Sequence, residues 1–264
     1  ISTIALHAHS IPHVFPKAVL SEAEAAGPAS MDHREDWRSL PLVTIDPADA
    51  KDHDDAVHAA PDDDPANPGG MVVTVAIADV SYYVRPGTKL DSEARLRGNS
   101  VYFPDRVVPM LPERISNDLC SLRENVDRPA LAVRMVLGAN GEKRRHSFHR
   151  VMMRSHAKIA YEAAQAAIDG ATGDVDPHVT ETMLKPLWAA YALARSAHER
   201  RQPLDLDLPE RKLKLGADGR VEKVVVPARL DAHRLIEEFM ILANVAAAES
   251  LESKRQALIY RAHD

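Results

Sequence analysis

The sequence predicts a mixed α/β (α+β) fold, with strands in the first half and helices dominating the second. Three observations carry that reading. Leu42-Val43-Thr44-Ile45 and Met71 to Ala78 are apolar, β-branched runs bounded by turn residues. Leu131 to Leu137 and His146 to Met152 flank Asn140-Gly141, a dipeptide suited to a tight hairpin. Beyond residue 155 the chain becomes Ala-rich and amphipathic at helical spacing.

In chain order, Ile1 to about Asp36 is rich in Ala, Pro, His and Glu without sustained periodicity, so residues 1–39 read as a linker and 40–264 as the domain. Leu42 to Ile45 is a short strand stopped by Asp46-Pro47, and Ala56 to Ala60 is a second. Pro61 to Gly70 has the composition of an exposed hairpin loop, and Met71 to Ala78 of a buried strand. Ser81 to Asp127 shows turn chemistry and little periodicity, which in a compact domain marks function. After the hairpin, His156 to Ile168 reads as a helix ending at Gly170, and Val175 to Arg201 as a longer one. A strand pair is expected around Gly216 to Gly219, then a helix from Leu230 to about Tyr260. That helix lacks a clear cap, so the chain reads as cut within a fold.

Bulk properties exclude several classes. No apolar run approaches the roughly 18 residues of a membrane span, and Ile1 to Pro16 lacks the basic start and apolar centre of a signal peptide. The single Cys120 rules out an internal disulfide framework and predicts a cytoplasmic protein with a buried cysteine. The net charge of −6 is unusual for a nucleic-acid binder. Its location matters more than its sum. Thr44 to Asp64 holds eight aspartates and one lysine, leaving 31 acidic and 32 basic residues elsewhere. Divalent cations could neutralise that one segment, so a polyanionic substrate is not excluded.

The segment Thr44-Ile-Asp-Pro-Ala-Asp-Ala-Lys-Asp-His-Asp-Asp-Ala56 carries the chemistry. Asp46 closes a strand. Asp52 and Asp54 share a face if extended, and a loop returning past Asp46 would gather them with Asp55. Carboxylates packed without counter-charge raise one another's pKa. A hard cation such as magnesium removes that cost, taking oxygen ligands, water and substrate phosphate. Two such ions about 4 Å apart suit phosphodiester hydrolysis. A solvated acidic loop is the competing reading, and it is preferred for Asp62, Asp63 and Asp64. An EF-hand is excluded, because its glycine, its later glutamate and its spacing are missing.

The same segment resembles the catalytic signature of the RNase II/RNase R family: Thr-Ile-Asp, two variable residues, Asp-Ala, one variable, Asp, one variable, Asp-Asp-Ala. Further blocks follow in the family's order. They are Val75 to Thr88, Gly98-Asn-Ser-Val-Tyr-Phe-Pro104, Pro109-Met-Leu-Pro112, Leu119-Cys-Ser-Leu122 and Ile236-Glu-Glu-Phe-Met-Ile-Leu-Ala-Asn244. The wording is closer to RNase R than to RNase II. The resemblance covers residues 40 to 264. It implies an RNB-type catalytic domain, a mixed β-sheet with surrounding helices, that threads single-stranded RNA and releases nucleoside 5′-monophosphates from the 3′ end. It also implies magnesium, or manganese in its place. By position, Asp46 and Asp55 would hold one ion, Asp54 would be the most critical carboxylate, and Asp52 would support the metal site as a second catalytic residue.

Other candidates are weighed against plainer roles. The resemblance places Tyr102 where an aromatic stacks on the 3′-terminal base, although a tyrosine packed in a proline-rich loop would look the same. Tyr161 is similar in placement to a tyrosine linked with preference for RNA over DNA; partial burial on a helix competes. Glu237 or Glu238 would reach the terminal nucleotide, or lie on a solvated face. Scattered basic residues, including Lys143-Arg144-Arg145, Arg150, Arg154 and Arg200-Arg201, are assigned no individual role, and the thirteen histidines show no metal spacing.

Family members continue past the equivalent of Tyr260 to Asp264 into an arginine-rich segment, with RNA-binding barrels on both sides. The sequence therefore reads as a partial catalytic domain, and those flanking domains are expected in the full-length protein. No membrane partner is expected. Two competing functions remain: a catalytically inactive RNA-binding module, and a hydrolase of small phosphate esters that would need no long channel.

Overall fold

The computed structural model describes residues 2–201, 211–216 and 220–260. In chain order its elements begin with α1 (Ser2–Ala8), α2 (Lys17–Ala25), β1 (Glu35–Asp46), β2 (Asp55–Pro61) and β3 (Met71–Ala78). Next come α3 (Val80–Tyr83), α4 (Lys89–Arg97), β4 (Val101–Tyr102), β5 (Val107–Val108) and a π-helical turn, Arg114–Leu119. β6 (Asp127–Leu137), β7 (Lys143–Ala160), α5 (Tyr161–Ile168), α6 (Pro177–Val179) and α7 (Lys185–Arg200) follow, the last two joined by a π-helical turn. The described chain ends with β8 (Lys212–Leu215), β9 (Val221–Val225) and α8 (Asp231–Ser253).

The described residues form two compact units. The larger comprises residues 31–78, 122–206 and 229–264. Its centre is a closed five-stranded barrel in the order β1-β2-β3-β6-β7. Neighbours along the chain pair antiparallel, while β1 and β7 close the barrel in parallel. The sheet is therefore mixed, as the sequence suggests, and it is curled onto itself. Side chains alternate between its faces. Val43, Ile45, Val57, Val73, Val75, Val133 and Met135 pack outward against Leu187, Tyr191, Leu235 and Phe239 of α7 and α8. Burying a side chain such as Phe239, fully enclosed here, contributes about 1.5–3 kcal/mol. The opposite parity holds the buried Thr44, Ala56, Thr74, Ala76, Ala130 and Ala132. Eight strands leave a barrel interior just wide enough for ordinary side chains, so five admit mainly small ones.

The predicted hairpin forms around Asn140-Gly141. Gly141 adopts φ +77°, and a Cβ there would lie 1.9 Å from the Leu193 carbonyl oxygen, so only glycine fits.

The smaller unit comprises residues 1–30, 79–121 and 207–228. Within it α2 packs on α4 and on the π-helical turn. Leu6, Val19, Ala23, Leu90, Ala94, Ile115 and Leu119 are buried. The Glu22 carboxylate accepts the Lys89 N–H at 2.8 Å, an anion placed at the N-terminus of α4. Arg97 lies 3.6 Å from the Phe15 ring centre and bonds Glu93 at 2.9 Å. β4 pairs with β5 and β8 with β9.

Four expectations change. Residues 1–39 are not an irregular linker: α1 and α2 fold there because Leu6, Val19 and Ala23 bury apolar surface, and β1 already starts at Glu35. The stretch from Ser81 to Asp127 is not structureless, since it contains α4 and the π-helical turn. Residues 156–160 are strand rather than helix, because pairing with β1 overrides their Ala-rich local preference. The last helix stops at Ser253, before Tyr260. The strand pair near Gly216 is present as β8–β9, and residues 217–219 lie outside the described residues. Residues 261–264, the end of the resembling segment, also lie outside them.

Candidate active site

The four aspartates sit where β1 ends and β2 begins. Asp46 is the last residue of β1 and pairs across the parallel seam with Ala160. The chain then turns, with the Ala50 N–H donating to the Pro47 carbonyl at 3.0 Å, and returns to start β2 at Asp55. Three bonds hold the returning strand. His53 Nδ1 lies 2.7 Å from Asp46 Oδ2. Its carbonyl accepts the Leu122 N–H at 2.8 Å, and the Asp54 carbonyl accepts the Ala78 N–H at 2.9 Å. A carboxylate only accepts, so Nδ1 carries the hydrogen. His53 is the one buried residue from Asp46 to Asp55, 3% exposed.

Electrostatics show that these carboxylates share a neighbourhood. Asp55 has the strand parity of Val57 and Ala59, the face that packs on helices. Burial there, followed by Asp46 and Asp54, pushes its carboxyl up to about 7. The Asp54 residue is exposed, yet its carboxyl is also raised, first by the protein packed around it and then by Asp52 and Asp46. His53 opposes both shifts. Among the described residues, Asp52, Asp54 and Asp55 form no salt bridge. The cluster is a concentration of negative charge, and among the described residues His53 is the group that offsets it.

Tyr161 joins the cluster through the barrel seam, because it follows Ala160, the partner of Asp46. Burial pushes its hydroxyl up to about 12, with further contributions from Asp55 and Asp46. Its ring stacks on His233 of α8, centroids 4.1 Å apart and planes 19° from parallel. The structure places the other candidates differently. Tyr102 belongs to the smaller unit, in β4, with 72% of its surface exposed. Glu237 is exposed and paired with Arg229, while Glu238 is bonded to His198 at 2.6 Å. Lys143 is engaged by Glu249, Arg154 by Asp127, and Cys120 is buried. Asp62, Asp63 and Asp64 lie in the β2–β3 loop.

The donor set suits a hard cation, being all oxygen with unbalanced charge. Among the described residues no three His, Cys, Asp or Glu side chains already enclose one point as ligands. Magnesium does not require that. It usually takes one or two carboxylates and completes its shell with water and substrate phosphate. The residues therefore fit such an ion.

Comparison with known proteins defines the family. The RNB domain profile matches residues 34–264. The chain belongs to the RNB domain family. This RNB domain is 41% identical over 273 residues to Ribonuclease R of Vibrio cholerae serotype O1, across 99% of this chain and 32% of that protein. It thus spans about a third of the length of the curated relatives it matches. Among solved structures it is similar to Mycoplasma genitalium RNase R in complex with ribose methylated single-stranded RNA. There the TM-score is 0.91 at 27% identity, covering 98% of this chain and 40% of that one. The same enzyme in complex with double-stranded RNA gives TM-score 0.91, covering 98% and 46%. The match begins one residue before β1, so the RNB domain starts earlier than residue 40.

Proposed function

We propose that this RNB domain is the catalytic part of a 3′-to-5′ exoribonuclease that hydrolyses single-stranded RNA to nucleoside 5′-monophosphates with magnesium or manganese. One observation carries the reading: Asp46, Asp52, Asp54 and Asp55 gather at one rim of the barrel, where the Asp54 and Asp55 carboxyls are raised and, among the described residues, Asp52, Asp54 and Asp55 form no salt bridge. Similarity to RNase R, including a complex with RNA, supports it.

In this reading Asp46 and Asp55 hold one ion on strand ends, where packing limits their movement. Asp54, exposed at the rim, faces the scissile phosphate, and Asp52 completes the metal site. Magnesium, when bound, supplies charge to balance the aspartates, polarises the phosphoryl group and makes water more acidic. Tyr161 stays protonated at neutral pH and presents a phenol to the ribose 2′-hydroxyl. Tyr102 offers an exposed ring for the terminal base. Glu237 is proposed to contact the terminal nucleotide after releasing Arg229. Flanking RNA-binding barrels and a cytoplasmic location belong to the same proposal. No helix among the described residues is long and apolar enough to cross a membrane.

The test is a time course on 5′-labelled single-stranded RNA, with magnesium and with chelator, for the chain and for Asp54→Asn. Stepwise shortening that needs magnesium is expected. Asp54→Asn should slow it by on the order of 10³-fold while RNA binding persists. Wild-type speed in Asp54→Asn would overturn the site assignment. RNA bound but never shortened would favour the inactive RNA-binding module. Cleavage of small phosphate esters in preference to oligonucleotides would favour the phosphatase.

A further inference from the structure

Tyr161 is the first residue of α5 and is partly buried against the core. His233, on α8, stacks on its ring. The two rings lie 4.1 Å apart and 19° from parallel, a face-to-face contact within the larger unit. The imidazole is itself oriented by the start of α8. The Leu230 N–H donates to His233 Nδ1 at 3.1 Å, and the His233 N–H donates to the Leu230 carbonyl at 3.1 Å. A backbone N–H can only donate, so Nδ1 is the acceptor, the ring hydrogen is on Nε2, and the ring is neutral. His233 therefore has two separable jobs. Nδ1 caps α8, and the ring face braces a phenol that lies within electrostatic reach of Asp55 and Asp46.

We propose that His233 is a positioning residue for Tyr161, its neutral ring setting the phenol at the angle needed to engage the ribose 2′-hydroxyl beside the aspartates. The inference rests on the reading of Tyr161 given above. Neither residue in this pair performs the bond cleavage. The brace acts on the choice between ribose and deoxyribose, and the hydrogen bond to Leu230 keeps the imidazole from rotating away from the stack.

Two substitutions separate the jobs. His233→Asn keeps a side-chain acceptor at the third helical position, where a capping box reaches back to the Leu230 N–H, and removes the ring. His233→Phe keeps an aromatic face and removes the acceptor. Each is assayed in the full chain for thermal melting, and for kcat and KM on two oligonucleotides of one sequence, with and without a 2′-hydroxyl at the nucleotide before the scissile bond. His233→Asn should keep its Tm and lose ribose preference by about three- to tenfold, the scale of one aromatic pair. His233→Phe should melt several degrees lower and keep the preference. A merely structural histidine gives the opposite pattern, with preference following Tm, and that result overturns the inference. Should His233→Asn not fold, the phenylalanine variant decides alone: preference retained supports the brace, and preference lost overturns it. Tyr161→Phe is the control. If it leaves ribose preference intact, the reading of Tyr161 fails and this inference fails with it. If it reduces the preference while a folded His233→Asn does not, the inference alone fails.

Discussion

His53 Nδ1 donates to Asp46 Oδ2 across 2.7 Å, tying the start of β2 to the end of β1. The ring is buried, and the alternative to this bond is a carboxylate whose partner has gone. His53→Ala should therefore destabilise the chain by about 1–3 kcal/mol, read as a lower urea midpoint at unchanged slope. An unaltered midpoint would mean that the loop closes without this bond.

Magnesium should stabilise the fold by an amount set by its concentration. An ion that binds only the native state adds about 2.7 kcal/mol at a hundred times its Kd. Titrating magnesium while recording Tm tests this directly. In Asp55→Asn the shift should shrink or vanish, and the metal-free variant should melt higher at pH 8, because a part-buried carboxylate crowded by Asp46 and Asp54 has been removed. Equal magnesium shifts in both proteins would remove Asp55 from the site.

Two part-buried groups oppose each other with pH. Asp55 is raised to about 7 in the folded chain, so the native state holds its proton more tightly, and stability falls as pH climbs from about 4 through 7. His58 is lowered to about 4, first by burial and then by Arg134. Its unfolded form binds a proton that the native form refuses, so stability rises from about pH 4 to 6.5, by at most about 2–3 kcal/mol. The metal-free wild type should show a flatter profile than either group alone. His58→Asn should expose the falling limb and Asp55→Asn the rising one, both measured by denaturant unfolding between pH 4 and 8. Parallel profiles in all three proteins would contradict both assignments.

Tyr102→Ala should weaken single-stranded RNA binding by about 1–3 kcal/mol and leave Tm unchanged. With 72% of its surface exposed, the ring contributes little to packing. Fluorescence anisotropy with a short labelled RNA measures the first quantity, and a drop in Tm of comparable weight would make Tyr102 a structural residue instead.

The strands and the aspartates were legible because their signals are local. Met71–Ala78 is a continuous β-branched run, and its predicted and observed limits coincide. The aspartates follow such a run at a spacing that only a returning loop can use. What was illegible depends on distant partners. Ala157, Ile159 and Ala160 look helical until β1 pairs with them. α4 carries no apolar stripe, since most of its residues are charged, and it is held by Glu22 and α2 instead. His53 and His233 show no metal spacing because one supports a carboxylate seven residues back and the other a tyrosine on another helix.

Closure of the barrel by β1 and β7 has a consequence for the order of assembly. Asp46 and Ala160 meet across more than a hundred residues of chain, and a contact that distant forms only after the intervening segment has been made and collapsed. During synthesis the aspartates leave the ribosome long before the strand that seats Tyr161 beside them. A nascent chain thus carries the four carboxylates without the geometry that surrounds them in the folded domain, and the site matures only when the final stave of the barrel is in place.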